Sequence, residues 1–279
     1  MQIIRTQAEL RKVRATWGPV GFVPTMGALH PGHISLVHRA QADGLPVVAS
    51  IFVNPIQFNQ AADLAAYPIR TEEDLGMLEA AGAAAVFIPN AAEMYPQPVQ
   101  IKLHFGPLEE VLEGAMRPGH FSGVGVVVSR LLHLVQPQKA YFGEKDLQQL
   151  AVIRRLVQDL GHEVEIVPCP TDREPDGLAR SSRNLRLSPQ GRRLAPHLHQ
   201  ILQRTWAEAH QLGIAQALSR GRQALADAEG FTPEYLEAVN PATFEVLSAR
   251  PGIAAGPFAL CTAAWLEDIR LIDNLVRWA

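Results

Sequence analysis

Two histidines three residues apart, in Pro24-Thr25-Met26-Gly27-Ala28-Leu29-His30-Pro31-Gly32-His33, are the residues of this chain best placed to do chemistry. The apolar run Pro19 to Pro24 before them reads as a buried strand. Apolar residues at 34, 36, 37 and 40 after them read as one face of a helix. His30 and His33 therefore stand where a strand turns into a helix. A helix start offers unpaired N–H groups and a partial positive charge, which favour phosphate. Gly27 and Gly32 let the backbone approach a ligand closely. Imidazoles there can donate hydrogen bonds to phosphoryl oxygens as charge develops. Alone, such a pair caps a surface helix more often than it binds phosphate, and the strand–turn–helix setting reverses that preference.

Four further segments carry polar groups at comparable places. Ser50 to Phe58 ends an apolar strand at Asn54 and Gln57, whose amides can orient a carboxylate or hydroxyl without adding charge. Gly143-Glu144-Lys145-Asp146 follows another strand. Lys145 can pair with phosphate, and Asp146 can hold a divalent metal or a ribose hydroxyl. Gln149 lies one helical turn beyond Asp146, on the same face. Ser181-Ser182-Arg183-Asn184 makes a small anion-binding cluster in a loop that Asp176-Gly177 opens. Arg117-Pro118-Gly119-His120 flanks a rigid turn, and by itself reads as surface.

The elements that must position these residues alternate. Helices are expected over 7–16, 33–42, 71–81, 123–135 and 147–160, and strands over 46–53, 84–88, 140–142 and 163–167. That alternation predicts an α/β fold with a Rossmann-like parallel sheet. After about residue 175 the pattern changes. Ser188-Pro189 starts a helix that is expected to run to about Leu212, a second helix covers 215–228, and three strand-like pieces follow at 235–239, 258–264 and 269–272. The expectation is a sheet domain over 1–175 and a smaller α+β domain over 176–279.

Bulk properties exclude several classes. The net charge of −3 gives no global field for nucleic acid or a membrane surface. Two cysteines, Cys169 and Cys261, do not make a disulfide scaffold. The first residues carry no signal-peptide pattern, and the longest apolar stretch is too short to span a bilayer, so a cytoplasmic protein is expected. There is no Gly-x-x-x-x-Gly-Lys-Ser/Thr loop, no His-Glu-x-x-His helix and no third glycine after Gly123 and Gly125 to complete a dinucleotide fingerprint.

In this order and spacing, the segments resemble the pantothenate synthetases (pantoate–β-alanine ligases) over essentially the whole chain, from Pro24-Thr25-Met26-Gly27 to Arg270-Leu271-Ile272-Asp273-Asn274. The resemblance implies ATP bound by Met26, Gly27, Ala28, Leu29, His30, Pro31, Gly32 and His33, with His33 as proton donor. It implies ATP contacts at Gly143, Glu144, Lys145 and Asp146, with Mg²⁺ near Asp146. Arg180, Ser181, Ser182 and Arg183 would form a mobile phosphate-binding lid, Asp172 would contact ATP through its backbone, and His30, His33, Lys145 and Arg183 would do the catalytic work. Gln57, Gln149 and Asn54 would hold pantoate and β-alanine. It further implies a pantoyl-adenylate intermediate and a homodimer. The family usually has apolar residues where this chain has Asp172 and Arg180, and Tyr-Pro-Arg-Thr where it reads Tyr67-Pro68-Ile69-Arg70. The rivals are another nucleotidyl transferase, which would leave Gln57 and Gln149 unexplained, and a tRNA- or nucleotide-binding module, which should show a basic face.

Overall fold

The structure is a computed structural model that describes residues 1–248 and 256–278. The chain forms two compact units. The first comprises Met1–Glu144 and Val152–Pro170, and the second Lys145–Ala151 and Thr171–Ala279. The second unit takes up the chain from Thr171, and the seven residues from Lys145 also group with it.

The first unit is built on six strands: β1 Gln2–Ile4, β2 Gly21–Thr25, β3 Val47–Ile51, β4 Ala85–Phe87, β5 Lys139–Gly143 and β6 Glu165–Cys169. They form one sheet in the order β1-β4-β3-β2-β5-β6, and every pairing is parallel. All five residues of β3, Val-Val-Ala-Ser-Ile, are buried, as a strand covered on both faces requires. Its helices are α1 Gln7–Arg14, α2 Pro31–Ala42, α3 Ala61–Ala65, α4 Thr71–Ala80, α5 Ala91–Met94, α6 Leu112–Met116 and α7 His120–Val135, together with most of α8 Leu147–Leu160. Thr6 and Glu9 close a reciprocal cap on α1, and Pro31 opens α2 at a position where a missing N–H costs nothing. One core cluster packs Leu36, Val37 and Ala40 of α2 and Leu78 of α4 against Val23, Val47, Ala49 and Val86 of the sheet.

Strand β2 pairs with β3 on one side and with β5 on the other. From β2 the chain first builds outward through β3 and β4, then returns to add β5 and β6 on the opposite side. The order reverses at β2, so the carboxyl ends of β2 and β5 border the crevice where open α/β sheets receive ligands. Met26 and Gly27 follow β2, and Glu144 follows β5.

The second unit contains α9 Pro189–Leu194, α10 Pro196–Leu212 and α11 Ile214–Ala226, then β7 Phe231–Val239, β8 Phe258–Leu266 and β9 Ile269–Arg277. The three strands form an antiparallel sheet in the order β7-β8-β9. Leu198 and Leu202 of α10 and Leu218 and Leu225 of α11 share a core with Leu236, Leu260 and Leu271 of the sheet. The single helix expected from Ser188 to Leu212 is instead two, because Pro196 has no N–H for the preceding turn and becomes the first residue of α10. The short strand β1 was not expected either, since three residues before a polar helix carry no alternation to read.

Candidate active site

In the first unit the loop after β2 is shaped by left-handed backbone and a buried acid. Gly27 and Ala28 both have positive φ, 83° and 49°. The turn leaves the amides of Ala28 and Leu29 pointing at the Asp74 carboxylate, whose Oδ2 accepts from Ala28 at 2.9 Å and whose Oδ1 accepts from Leu29 at 2.7 Å. A Cβ on Gly27 would stand 3.0 Å from Asp74 Oδ2 and 3.1 Å from Ile51 Cγ2, so glycine is needed for space as well as for its φ. Asp74 lies on α4 and is 2% exposed. Burial pushes its pKa up, against the two amides that favour the charged form.

The loop delivers His30 and His33 to the start of α2. Their rings are 4.0 Å apart between centroids. The His30 main-chain N–H donates to His33 Nδ1 at 3.3 Å, so that nitrogen acts as acceptor and the ring proton sits on Nε2. His33 is thus set up as a neutral donor at a helix N-terminus, an arrangement that suits a phosphoryl oxygen.

Asn54 and Gln57, expected as substrate amides, meet in one hydrogen-bonded chain. Gln57 belongs to a 3-10 turn, Pro55–Gln57, and is 8% exposed, while Asn54 is 1% exposed. Asn54 Nδ2 donates to Gln57 Oε1 at 3.0 Å, and Gln57 Nε2 donates to Met26 Sδ at 3.0 Å. Gln57 therefore reaches the first residue of the histidine loop. The Arg117–His120 turn, which by itself reads as surface, is engaged here. Arg117 Nη1 donates to His120 Nε2 at 3.2 Å, which leaves the proton on Nδ1, and Nδ1 donates to the Gln57 carbonyl at 2.9 Å. Gly123 brings α7 against the same turn, where a Cβ would stand 2.3 Å from Ile56 O. The glycines at 123 and 125 therefore serve packing, Gly125 lying against Phe105 and Leu103.

The second unit gathers the phosphate candidates. Lys145, Ser181, Asn184, His199, Arg270 and Asp273 line one small concavity. Asp146 is exposed, and Gln149 is half-buried one turn into α8. The segment 172–186 is held by many bonds. Arg180 N–H donates to Asp172 O at 3.0 Å, Asn184 Nδ2 to Ala179 O at 3.0 Å, and Ser181 Oγ accepts from Arg183 N–H at 3.3 Å. Arg180 also forms ion pairs with Asp172, at 2.8 Å, and with Glu174. Asp172 and Arg180 thus neutralise each other.

Behind this segment lies an ion cluster. Asp273, 4% exposed, accepts from both terminal nitrogens of Arg173 at 2.8 Å and from His199 Nδ1 at 2.9 Å. Arg173 and His199 hold the Asp273 carboxyl below the usual carboxylate range despite its burial. Arg173 Nη1 further donates to Gly177 O at 3.0 Å, and Asn274 Nδ2 donates to Lys145 O at 2.9 Å. One stretch of β9 therefore ties down both Lys145 and the start of the serine loop.

A model of the family described as Pantoate-beta-alanine ligase matches residues 2–276. The chain belongs to the pantoate–β-alanine ligase family. It is 48% identical to the pantothenate synthetase of Cytophaga hutchinsonii over 259 residues, 92% of this chain and 91% of the relative. It is 48% identical to the Thermus thermophilus pantothenate synthetase over 281 residues, 99% of each. A crystal structure of the Thermus thermophilus enzyme superposes with a TM-score of 0.92 at 47% identity over 100% of both chains. A Francisella tularensis pantoate–β-alanine ligase, complexed with β,γ ATP and β-alanine, superposes with a TM-score of 0.82 at 31% identity over 99% of this chain and 97% of the other. No helix among the described residues is long and apolar enough to cross a membrane.

Sequence reasoning missed Asp74, Tyr95, Arg173 and His199. None sits in a local motif, and each acts on residues far from it in the chain. Asp273 was legible only as part of the closing resemblance.

Proposed function

We propose that the chain joins pantoate to β-alanine at the expense of ATP, by way of a pantoyl-adenylate. The pantoate carboxylate attacks the α-phosphorus of ATP and expels pyrophosphate, and the β-alanine amine then attacks the acyl carbon and expels AMP. Phosphoryl transfer is mostly positioning and charge stabilisation. In the first unit, Met26 to His33 and Gly143-Glu144 would bind ATP, with His30 and the Nε2 proton of His33 on phosphoryl oxygens. Asn54 and Gln57 would serve pantoate and β-alanine. In the second unit, Lys145, Ser181, Ser182 and Arg183 would neutralise phosphate charge, with Asp172 and Arg180 shaping their loop, and Gln149 would contact pantoate.

The donor set fits Mg²⁺. Asp146 is an exposed carboxylate on the 3-10 turn after β5, and it would hold the ion beside the nucleotide's phosphates. When bound, the ion would neutralise charge on those phosphates. We further infer a cytoplasmic homodimer whose two units act as a sheet domain and a smaller domain, by analogy with the family.

The observation that carries this reading is the loop after β2, at the point where strand order reverses, ending in His33 at a helix start with its Nδ1 accepting from the His30 N–H. The related Francisella tularensis structure, complexed with β,γ ATP and β-alanine, supports it. The test is ATP–pyrophosphate exchange with the purified protein. Exchange should require pantoate and should not require β-alanine. Exchange without pantoate, or none with it, would count against the adenylate.

A further inference from the structure

Resting on that reading, we propose that the Gly123 carbonyl and Tyr95, acting together through Asn54, fix which end of the Gln57 amide faces the substrate, so that Gln57 offers N–H donors to an acceptor oxygen of pantoate. The Gly123 carbonyl can only accept, and it lies 3.2 Å from one end of the Asn54 amide, so that end is the nitrogen. The other end is then Oδ1, and it accepts from the Tyr95 hydroxyl at 2.8 Å. Asn54 Nδ2 has a second proton, which goes to Gln57 at 3.0 Å, so the Gln57 atom there is Oε1. Gln57 Nε2 must point the other way, where it lies 3.0 Å from Met26 Sδ. A Gln57 amide turned over would set its NH₂ against that of Asn54, two donors facing each other in a buried place. A thioether is a weak acceptor, so a carboxylate or hydroxyl oxygen arriving beside Met26 is the better partner.

Tyr95 is built to hold this arrangement. Its ring lies 5.9 Å from Phe52, and the Arg130 guanidinium lies 5.9 Å from its centroid. Burial pushes the phenol pKa up, so the hydroxyl keeps the proton it donates. The Gln57 main chain is fixed separately, by His120 at its carbonyl and by the contact of Gly123 with its turn. Tyr95 therefore helps hold the direction of the amide that the Gly123 carbonyl sets, leaving the place of the residue to others. It is a positioning residue and need not touch pantoate.

Tyr95→Phe removes one oxygen and keeps the ring. Steady-state kinetics should show the KM for pantoate raised by about 3- to 10-fold, the worth of one hydrogen bond. The KM for ATP should stay at the wild-type value, while the melting curve falls by no more than the loss of one hydrogen bond explains. Asn54→Asp, which cannot donate to Gly123 or to Gln57, should raise the pantoate KM further. A Tyr95→Phe enzyme with the wild-type pantoate KM, or with both KM values raised alike, overturns the assignment. A wild-type protein with no pantoate-dependent turnover overturns instead the function on which it rests.

Discussion

In the first unit Asp74, 2% exposed, spends its two oxygens on the uncharged amides of Ala28 and Leu29. In the second, Asp273, 4% exposed, spends its own on the guanidinium of Arg173 and the imidazole of His199. Each aspartate holds a segment that carries candidate phosphate ligands, and the difference in partners reverses the electrostatics. Amide dipoles only partly offset the loss of water, so Asp74 titrates above its usual range. A bidentate arginine and a histidine more than offset it, so Asp273 titrates below. The pair teaches that burial alone does not decide the charge cost of an anchor. Neutral donors give a carboxylate whose charge is a standing strain on the fold, whereas a guanidinium beside it gives one whose charge the fold requires.

The comparison breaks most visibly if Asp273 is removed. Asp273→Ala leaves Arg173 and His199 without their carboxylate and should cost about 3–5 kcal/mol of stability, as for other broken buried pairs. Denaturant unfolding measures it, and a loss below about 1 kcal/mol, the range of surface pairs, would mean that the cluster is not buried in solution. Asp74→Ala should cost less, about 1–3 kcal/mol, because Leu29 is only half-buried and water can reach part of what is lost. Its kinetic signature should be a raised KM for ATP, since the loop it frees leads into His30 and His33. A raised pantoate KM with ATP unaffected would show that the loop does not depend on this anchor.

The two acids should also respond to pH in opposite directions. Asp273 has a folded pKa below its ordinary 3.8, so its contribution is complete above that value and is lost as pH falls below it. Asp74 has a folded pKa above its ordinary 3.8, so its contribution is greatest below that value and declines as pH rises through the folded value. Glu73 adds to the upward shift and Arg70 opposes it. Asparagine at either position removes the titration. On acidification, the stability advantage of wild type over Asp273→Asn should shrink, while that over Asp74→Asn should grow. Parallel curves from about pH 3 to 7 would remove the contrast.

What the sequence made legible follows the same division between local and distant. The histidine loop could be read because strand, glycines and helix start are contiguous, so the residues that shape it lie beside those that act. The sheet could be read because β3 is an apolar run broken only by Ser50. Asp74 could not be read, because an acid in the first turn of a helix is ordinary and its acceptor role depends on amides 45 and 46 positions away. Tyr95 stayed hidden for the same reason, with Asn54 41 positions distant. Arg117 and His120 resembled a surface turn until α7 brought them onto Gln57. The break at Pro196 was a local signal overridden by the long amphipathic pattern on both sides of it.

The smallest expected effect concerns Asp172 and Arg180, and it asks how far the charged character of the second unit extends. Their side chains are 33% and 23% exposed and lie 2.8 Å apart, so water screens much of the attraction. A double-mutant cycle with Asp172→Val and Arg180→Met, which restores the apolar pair usual in the family, should give a coupling of about 0.2–1 kcal/mol in stability. The double variant should also be nearly as active as wild type, because the segment keeps its main-chain bond from Arg180 to the Asp172 carbonyl. Arg180→Met alone should be the less active of the two, since it leaves Asp172 and Glu174 facing a phosphate site with no positive charge between them. That ordering tests whether the two charges act as a compensated pair. Should Arg180→Met turn over as fast as the double variant, the ion pair is incidental, and the loop is held by its main chain and by Asp273 alone.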